Sequence, residues 1–149
     1  MINDDLKLRG DVAIVLKDKN GNVKESREIK NLVVTAGLTF ICSRMAGTSA
    51  DVMSHMALGS STTAASAGQT DLVAILGSRE ALDSSTASAN TIAYVSSFEA
   101  GEGTGAVTEA GIFNAASSGT MLCRTVFPVV NKQADDTMSV TWTITLTAS

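Results

Sequence analysis

T-M-S-V-T-W-T-I-T-L-T-A, from Thr137 to Ala148, alternates without a break. Met138, Val140, Trp142, Ile144 and Leu146 share one parity; Thr137, Ser139, Thr141, Thr143, Thr145 and Thr147 share the other. Successive side chains of a strand point to opposite faces, so the pattern predicts a long strand with one apolar and one hydroxylated face. Threonine favours extended backbone and keeps a face wettable, which places this strand half-buried in an antiparallel sheet. The chain's only tryptophan lies at its centre, with Tyr94, Phe113 and Phe127 as expected core companions.

The same period recurs at the amino terminus, where Val12, Ile14 and Leu16 alternate within residues 6–17. Asn20-Gly21 is suited to a tight turn, and residues 23–29 return as a charged, solvated or edge strand, giving an N-terminal hairpin over about residues 6–30. The period then changes. Thr35 is the expected cap of a helix from Ala36 to Ala46, with Leu38, Ile41, Cys42 and Met45 as the stripe that covers the sheet and Gly47 as the stop. Residues 53–58 read as a short strand. Residues 60–69 hold only Ser, Thr, Ala, Gly and Gln, and read as a surface loop with no apolar anchor. Residues 71–76 stay open between a helical turn and a strand.

Residues 79–82 read as a further short strand, followed by a polar loop over 83–90. Strands over 91–98, 107–113 and 121–127, joined by turns at 101–105 and 115–119, read as a meander leading into the opening strand. Pro128 is expected to end the third of them, and residues 131–136 form the last turn. The expected fold is all-β and mainly antiparallel, a jelly-roll-like β-sandwich of about eight strands with one short helix, or a small barrel, in a single domain over 1–149.

A chain of 149 residues buries roughly 70% of its extended surface, enough for a core without staples. Eleven basic against fifteen acidic residues give a net charge of −4, which disfavours a nucleic-acid partner. There is no apolar run long enough for a membrane span and no signal-peptide pattern, so synthesis and retention in a cytoplasm are expected. Cys42 and Cys123 are single and far apart, the spacing of two thiols rather than a disulfide framework.

Chemistry is sparse. His55 is the only histidine, and a strand histidine beside abundant serines is weak grounds for a hydrolase. No metal-ligand spacing occurs, and no cofactor is expected. Gly101-Glu102-Gly103-Thr104-Gly105 follows a strand as a phosphate loop does, but it lacks the lysine and the following helix and carries an acid. Glu102 and Glu109 are candidates for paired carboxylates, which keeps a carbohydrate-binding module or glycan hydrolase as a minor alternative. One Trp and one Tyr are a poor sugar platform. Arg9-Gly10-Asp11 spells an adhesion tripeptide, a match short enough to arise by chance.

One ordered set of segments carries more. T-A-G-L at 35–38, S-H-M-A-L-G-S-S-T-T-A-A-S-A-G-Q-T-D-L at 54–72, E-A-G-E-G-T-G-A-V-T-E-A-G-I-F-N at 99–114, M-L-C-R-T-V-F-P at 121–128 and the threonine-rich strand resemble a family of small virion structural proteins of tailed bacteriophages. The resemblance implies assembly, with no catalytic residue to carry over. It implies a capsid decoration or cement protein that forms a homo-oligomer, a trimer by preference, on the major capsid protein, located in the virion after assembly in the host cytoplasm. A tail, neck or baseplate component is the alternative. In such a role Thr141, Thr143 and Thr145, the loop residues Ser61, Thr62, Thr63 and Gln69, and Glu102 are the expected interaction surfaces, with the loop over 60–69 ordering on contact and the charged hairpin over 11–30 as a rim.

Overall fold

A computed structural model describes residues 5–48 and 50–148. Among the described residues the chain is all-β with one helix. In order it forms β1 (Leu6–Lys17), β2 (Val23–Val33), α1 (Thr35–Met45), β3 (His55–Gly59), β4 (Glu80–Ala81), β5 (Ser84–Ser88), β6 (Thr91–Phe98), β7 (Gly105–Phe113), β8 (Met121–Lys132) and β9 (Thr137–Ala148). These nine strands make one curled antiparallel sheet in the order β4-β3-β7-β8-β2-β1-β9-β6-β5.

The sheet curls into two layers around a shared core. One layer is β2-β1-β9-β6-β5 and the other is β4-β3-β7-β8. Val12, Ile14, Val140, Trp142 and Phe98 of the first pack with Met56, Leu58, Ile112, Phe127 and Val130 of the second. Burying each aliphatic or Phe side chain contributes on the order of 1.5–3 kcal/mol. The opening strand is β9, at the centre of its layer: Trp142 lies opposite Val12 on one side and Tyr94 on the other. Phe127 joins that core, but Phe113 belongs to a second cluster with Val34, Ala57 and Met121.

β2 is the joint. Over its length it pairs with β1, whereas only Leu32 and Val33 pair with β8. Below them the ladder gives way to side-chain stitches: Arg27 donates to Pro128 O and Val129 O at 3.3 and 3.4 Å, and Thr125 donates to Lys30 O at 3.2 Å. The charges expected of an edge strand therefore sit on a strand that is interior in order yet paired on one side for most of its length. Its hairpin turn is as anticipated: Gly21 takes φ 82°, and the Asp18 carboxylate accepts the Asn20 and Asn22 N–H groups, each at 2.9 Å.

Several expectations are corrected. The meander does not form, because β6 lies in one layer and β7 in the other, so 101–105 is a crossover; only β7 and β8 pair as a hairpin. Pro128 does not end β8. It sits where the β7–β8 register shifts between Val107 and Glu109, an irregularity that spares its missing N–H. Residues 84–88 form a strand rather than a loop. Residues 71–76 are neither helix nor strand, and are tied to β3 by Ser60 N–H to Ala74 O and Leu76 N–H to Leu58 O, both 2.8 Å.

The helix begins one residue earlier than expected. Val34 is its N-cap, with no side-chain capping bond, and Thr35 N–H donates instead to Ala67 O at 2.8 Å. Its packed face is Gly37, Phe40 and Ile41, while Leu38, Cys42 and Met45 of the expected stripe are exposed, Met45 at 82%. The rotation follows from Gly37. A Cβ there would overlap the Leu122 carbonyl, so glycine lets the helix backbone lie directly on β8 and turns the row through residue 37 inward.

Candidate functional site

The second layer is buried on both faces. β3, β7 and β8 show runs of enclosed residues where β9 alternates. Their inner face meets the core, and residues 60–74 lie across the other. Two charges hold that cover. Glu109 on β7 and Arg124 on β8 share a strand face, because Glu109 pairs with Val126 and Gly111 with Arg124 in the hairpin register. Both side chains are wholly enclosed.

Arg124 Nε donates to Glu109 Oε2 at 2.9 Å; Nη2 lies 2.8 Å from the same oxygen without a hydrogen bond, so the pair is one bond plus a close charge contact. The remaining capacity is spent on the covering loop. Glu109 Oε1 accepts Ala74 N–H at 2.7 Å and Ser61 N–H at 3.3 Å, and Oε2 accepts Val73 N–H at 3.2 Å. Arg124 Nη1 donates to Thr63 O and to Gln69 Oε1, both at 3.0 Å. Thr108 Oγ1 adds a bond to Ser61 O at 2.8 Å. A buried charge is costly unless paired and hydrogen-bonded, and here loop backbone supplies most of the compensation.

Gly59 makes this reach possible. It pairs with Glu109, and a Cβ on it would lie 2.6 Å from Ala74 O and as close to the Glu109 side chain. The loop over 60–69, expected to order on contact, is instead already held by charge within the chain. Sequence reasoning did not single out Arg124 and treated Glu109 only as a sugar-cleaving candidate. The usable signal was a lone charge of opposite sign inside each of two apolar runs, V-T-E-A-G-I-F and M-L-C-R-T-V-F.

The expected surface residues fall in three places. Thr62 and Thr63 are exposed on the held loop, whereas Ser61 and Gln69 are half-buried and engaged by Glu109 and Arg124. A shallow depression of about 530 Å³ lies beside them, lined by Lys30, Leu32, Thr62, Ala65 and Val126 among others. Thr141 and Thr143 lie on the outer face of β9, on the floor of a depression of about 450 Å³ rimmed by Arg9, Asp11, Glu28 and Lys30; Thr145 follows on the same face, half-buried. Glu102 is half-buried, and its carboxylate accepts Glu99 N–H at 2.8 Å. Lys30 lines both depressions, so the threonine face and the loop adjoin across β2, whereas Glu102 lines neither.

Other groups are likewise engaged. Ser54 Oγ lies 2.8 Å from His55 Nδ1. Arg9 and Asp11 of the adhesion tripeptide bond each other at 2.8 Å within β1. Arg79 stacks 3.6 Å over Phe113 and donates to Ala115 O and Ser118 O, fixing the β7–β8 turn. Burial pushes the Cys123 thiol well above its ordinary range. Among the described residues no three His, Cys, Asp or Glu side chains cluster as metal ligands, and no helix is long and apolar enough to cross a membrane.

At one end of the molecule a polar knot joins the layers. Lys132, almost fully buried, donates to Glu99 O at 2.9 Å; burial pushes its ammonium pKa down against the pull of Asp136, Glu102 and Glu99. Lys24 Nζ reaches Asp136 at 2.7 Å, and that bond, with the Gln133 N–H, holds the Asp136 carboxyl below the usual carboxylate range. At the other end α1 and the ends of β1, β6 and β9 enclose an apolar groove of about 440 Å³, with Leu8, Phe40, Met45, Ile92 and Leu146 in its walls. Comparison with protein-family models, with curated proteins and with solved structures finds no match to this chain.

Proposed function

We propose that the protein is a virion structural protein of a tailed bacteriophage, a capsid decoration protein that self-associates and bridges neighbouring major capsid subunits. The observation that supports this most is where the phage-like segments meet. A-L-G-S-S-T-T-A-A-S-A-G-Q-T-D-L, T-E-A-G-I-F and M-L-C-R-T-V-F-P contribute Gly59, the loop, Glu109 and Arg124, and these converge on one knot. Its charges are enclosed and bound to backbone, so the knot shapes a surface instead of presenting reactive groups. Glu109 is closed to any sugar.

What the knot presents is a preformed polar loop, with Thr62 and Thr63 outward beside a shallow depression. A surface already ordered loses little conformational entropy on docking, which favours a repeated contact on a large particle. Purified protein added to undecorated expanded shells is expected to bind stoichiometrically and raise the shell melting temperature. Absence of binding overturns the decoration role. A tail or neck location instead predicts a handful of copies per particle by quantitative gel analysis, where a shell location predicts hundreds.

A further inference from the structure

The sheet has two edges, and they are built differently. β4 is two residues long, so that edge is blunt. The chain then crosses through residues 82–83, with Leu82 N–H bonded to Ser54 O and Asp83 N–H to Val95 O, and emerges as β5, Ser84-Ser85-Thr86-Ala87-Ser88, at the opposite edge. All five residues of β5 are exposed. The strand buries no side chain, yet its turn keeps Ala89 at φ 52°, a conformation that costs a non-glycine residue on the order of 1 kcal/mol. Native edges are usually shielded by charge, proline or a covering element. β5 carries no charge and no proline, and Asp83 just before it is turned to Ser97 Oγ at 2.7 Å.

The hydrogen-bonding groups left over can be named. Ser88 pairs with Thr91 across a two-residue turn, so that pair is hydrogen-bonded, and by alternation so are Thr86 with Ala93 and Ser84 with Val95. The N–H and C=O groups of Ser85 and Ala87 therefore point away from β6.

We propose that β5 pairs antiparallel with β5 of a second copy, about a two-fold axis through Thr86. This register alone engages all the outward groups: Ser85 of each copy exchanges two bonds with Ala87 of the other, four in total. Thr86 then faces its symmetry mate in a non-hydrogen-bonded pair, a favourable cross-strand contact, and Ser84 faces Ser88. No like charges oppose one another across the axis, a distinction in a chain of net charge −4. The occupant is a second copy because the strip is complementary to itself. On the inner face Ser85 and Ala87 lie opposite Tyr94 and Ile92, so the joined sheets also extend a wall of the apolar groove.

The proposal deepens the self-association in the virion reading, and the two fail separately. Shell binding by a protein that never pairs through β5 overturns this contact alone; a β5-paired dimer that ignores shells overturns the virion role alone. Sedimentation equilibrium of the full chain is expected to show a dimer and not the trimer that the resemblance implies, because a two-fold contact closes on two copies. Ala87→Pro deletes an outward N–H without touching the β6 ladder, removes two of the four bonds, and is expected to weaken association about 30-fold. Thr86→Lys sets two ammonium groups across the axis and weakens it comparably, on a variant with no backbone change. Thr86→Cys in a Cys42→Ser background should cross-link under mild oxidation, since non-hydrogen-bonded pairs place Cα atoms ~4.5 Å apart, within disulfide reach. A wild-type monomer at every concentration, an oligomer indifferent to both Ala87→Pro and Thr86→Lys, or a dimer that does not cross-link through Thr86→Cys would each overturn it.

Discussion

The two layers solve burial in different ways. In β1, β6 and β9 every second residue faces the core and the others face water, so Val12, Ile14, Tyr94, Val140, Trp142 and Ile144 are buried while Thr141 and Thr143 are half-exposed. In β3, β7 and β8 both faces are covered, one by the core and one by residues 60–74 with α1, and two opposite charges lie inside the cover. The first layer is held by apolar area, which tolerates hydroxyls outside. The second holds a cover whose residues 60–69 carry no apolar side chain larger than alanine, and fixes it by charge beside the single apolar contact of Leu72 with the cluster of Val34, Ala57, Phe113 and Met121. A loop fixed by charge is stiff but brittle: it fails when one partner is removed.

Arg124→Met breaks the contrast at its strongest point. It leaves the Glu109 carboxylate enclosed without a cation and is expected to cost about 3–5 kcal/mol, read as a lowered urea midpoint. The Glu109→Gln, Arg124→Met double variant should recover part of that loss, because no charge then remains buried and a neutral amide still accepts loop N–H groups. In both, amide exchange at Val73 and Ala74 should accelerate ahead of exchange in β9. Equal acceleration in the two layers would mean that the pair supports the whole fold and not the loop.

The same contrast explains what the chain discloses before it is folded. β1, β6 and β9 were legible because one face is wet, and a wet face writes its period into the sequence. β3, β7 and β8 lack that period. Their strands were still found from apolar runs and flanking turns, but the cover over them was not, since what fixes it is a pair of single charges 15 residues apart. β5 hid for the opposite reason: S-S-T-A-S has no buried face at all, so its order comes only from the β6 ladder. The helix was placed correctly but rotated, because the contact at Gly37 is a backbone approach that apolar spacing does not record.

A smaller effect sharpens the comparison at the end of the molecule where the layers are joined by ions. The Asp136 carboxyl titrates below the usual range in the folded chain, chiefly through its bond to Lys24. A depressed folded pKa means stabilisation that is complete above the unfolded value, about 3.9, and is lost as pH falls through the folded one. Melting temperature is therefore expected to drop on acidification below about pH 4. Lys24→Met should make that drop shallower while leaving neutral-pH stability less changed than Arg124→Met does. An unchanged acid limb would assign the titration to another carboxylate, with Asp18, held low by the Asn22 backbone N–H, as the next to test.

The smallest effect on folding belongs to the threonine face. Thr141 and Thr143 lie beside Ala13 and Asp11 on β1 and beside Val95 and Ala93 on β6, on the open side of the sheet. Lysine at either position keeps its ammonium in water while its stem lies over small neighbours, and the Asp11 carboxylate stands next to position 143. Thr141→Lys and Thr143→Lys together should change unfolding free energy by no more than about 0.5 kcal/mol. The informative readout is shell binding. Loss of binding with stability unchanged makes this face, rimmed by Arg9, Asp11, Glu28 and Lys30, the surface that meets the particle. Retained binding assigns that contact to the loop at Thr62 and Thr63 instead, and the wet face of the first layer is then solvent in the assembled state as well. Either result separates the layer that meets the particle from the layer that does not, because Arg124→Met perturbs the loop and leaves the threonine face intact.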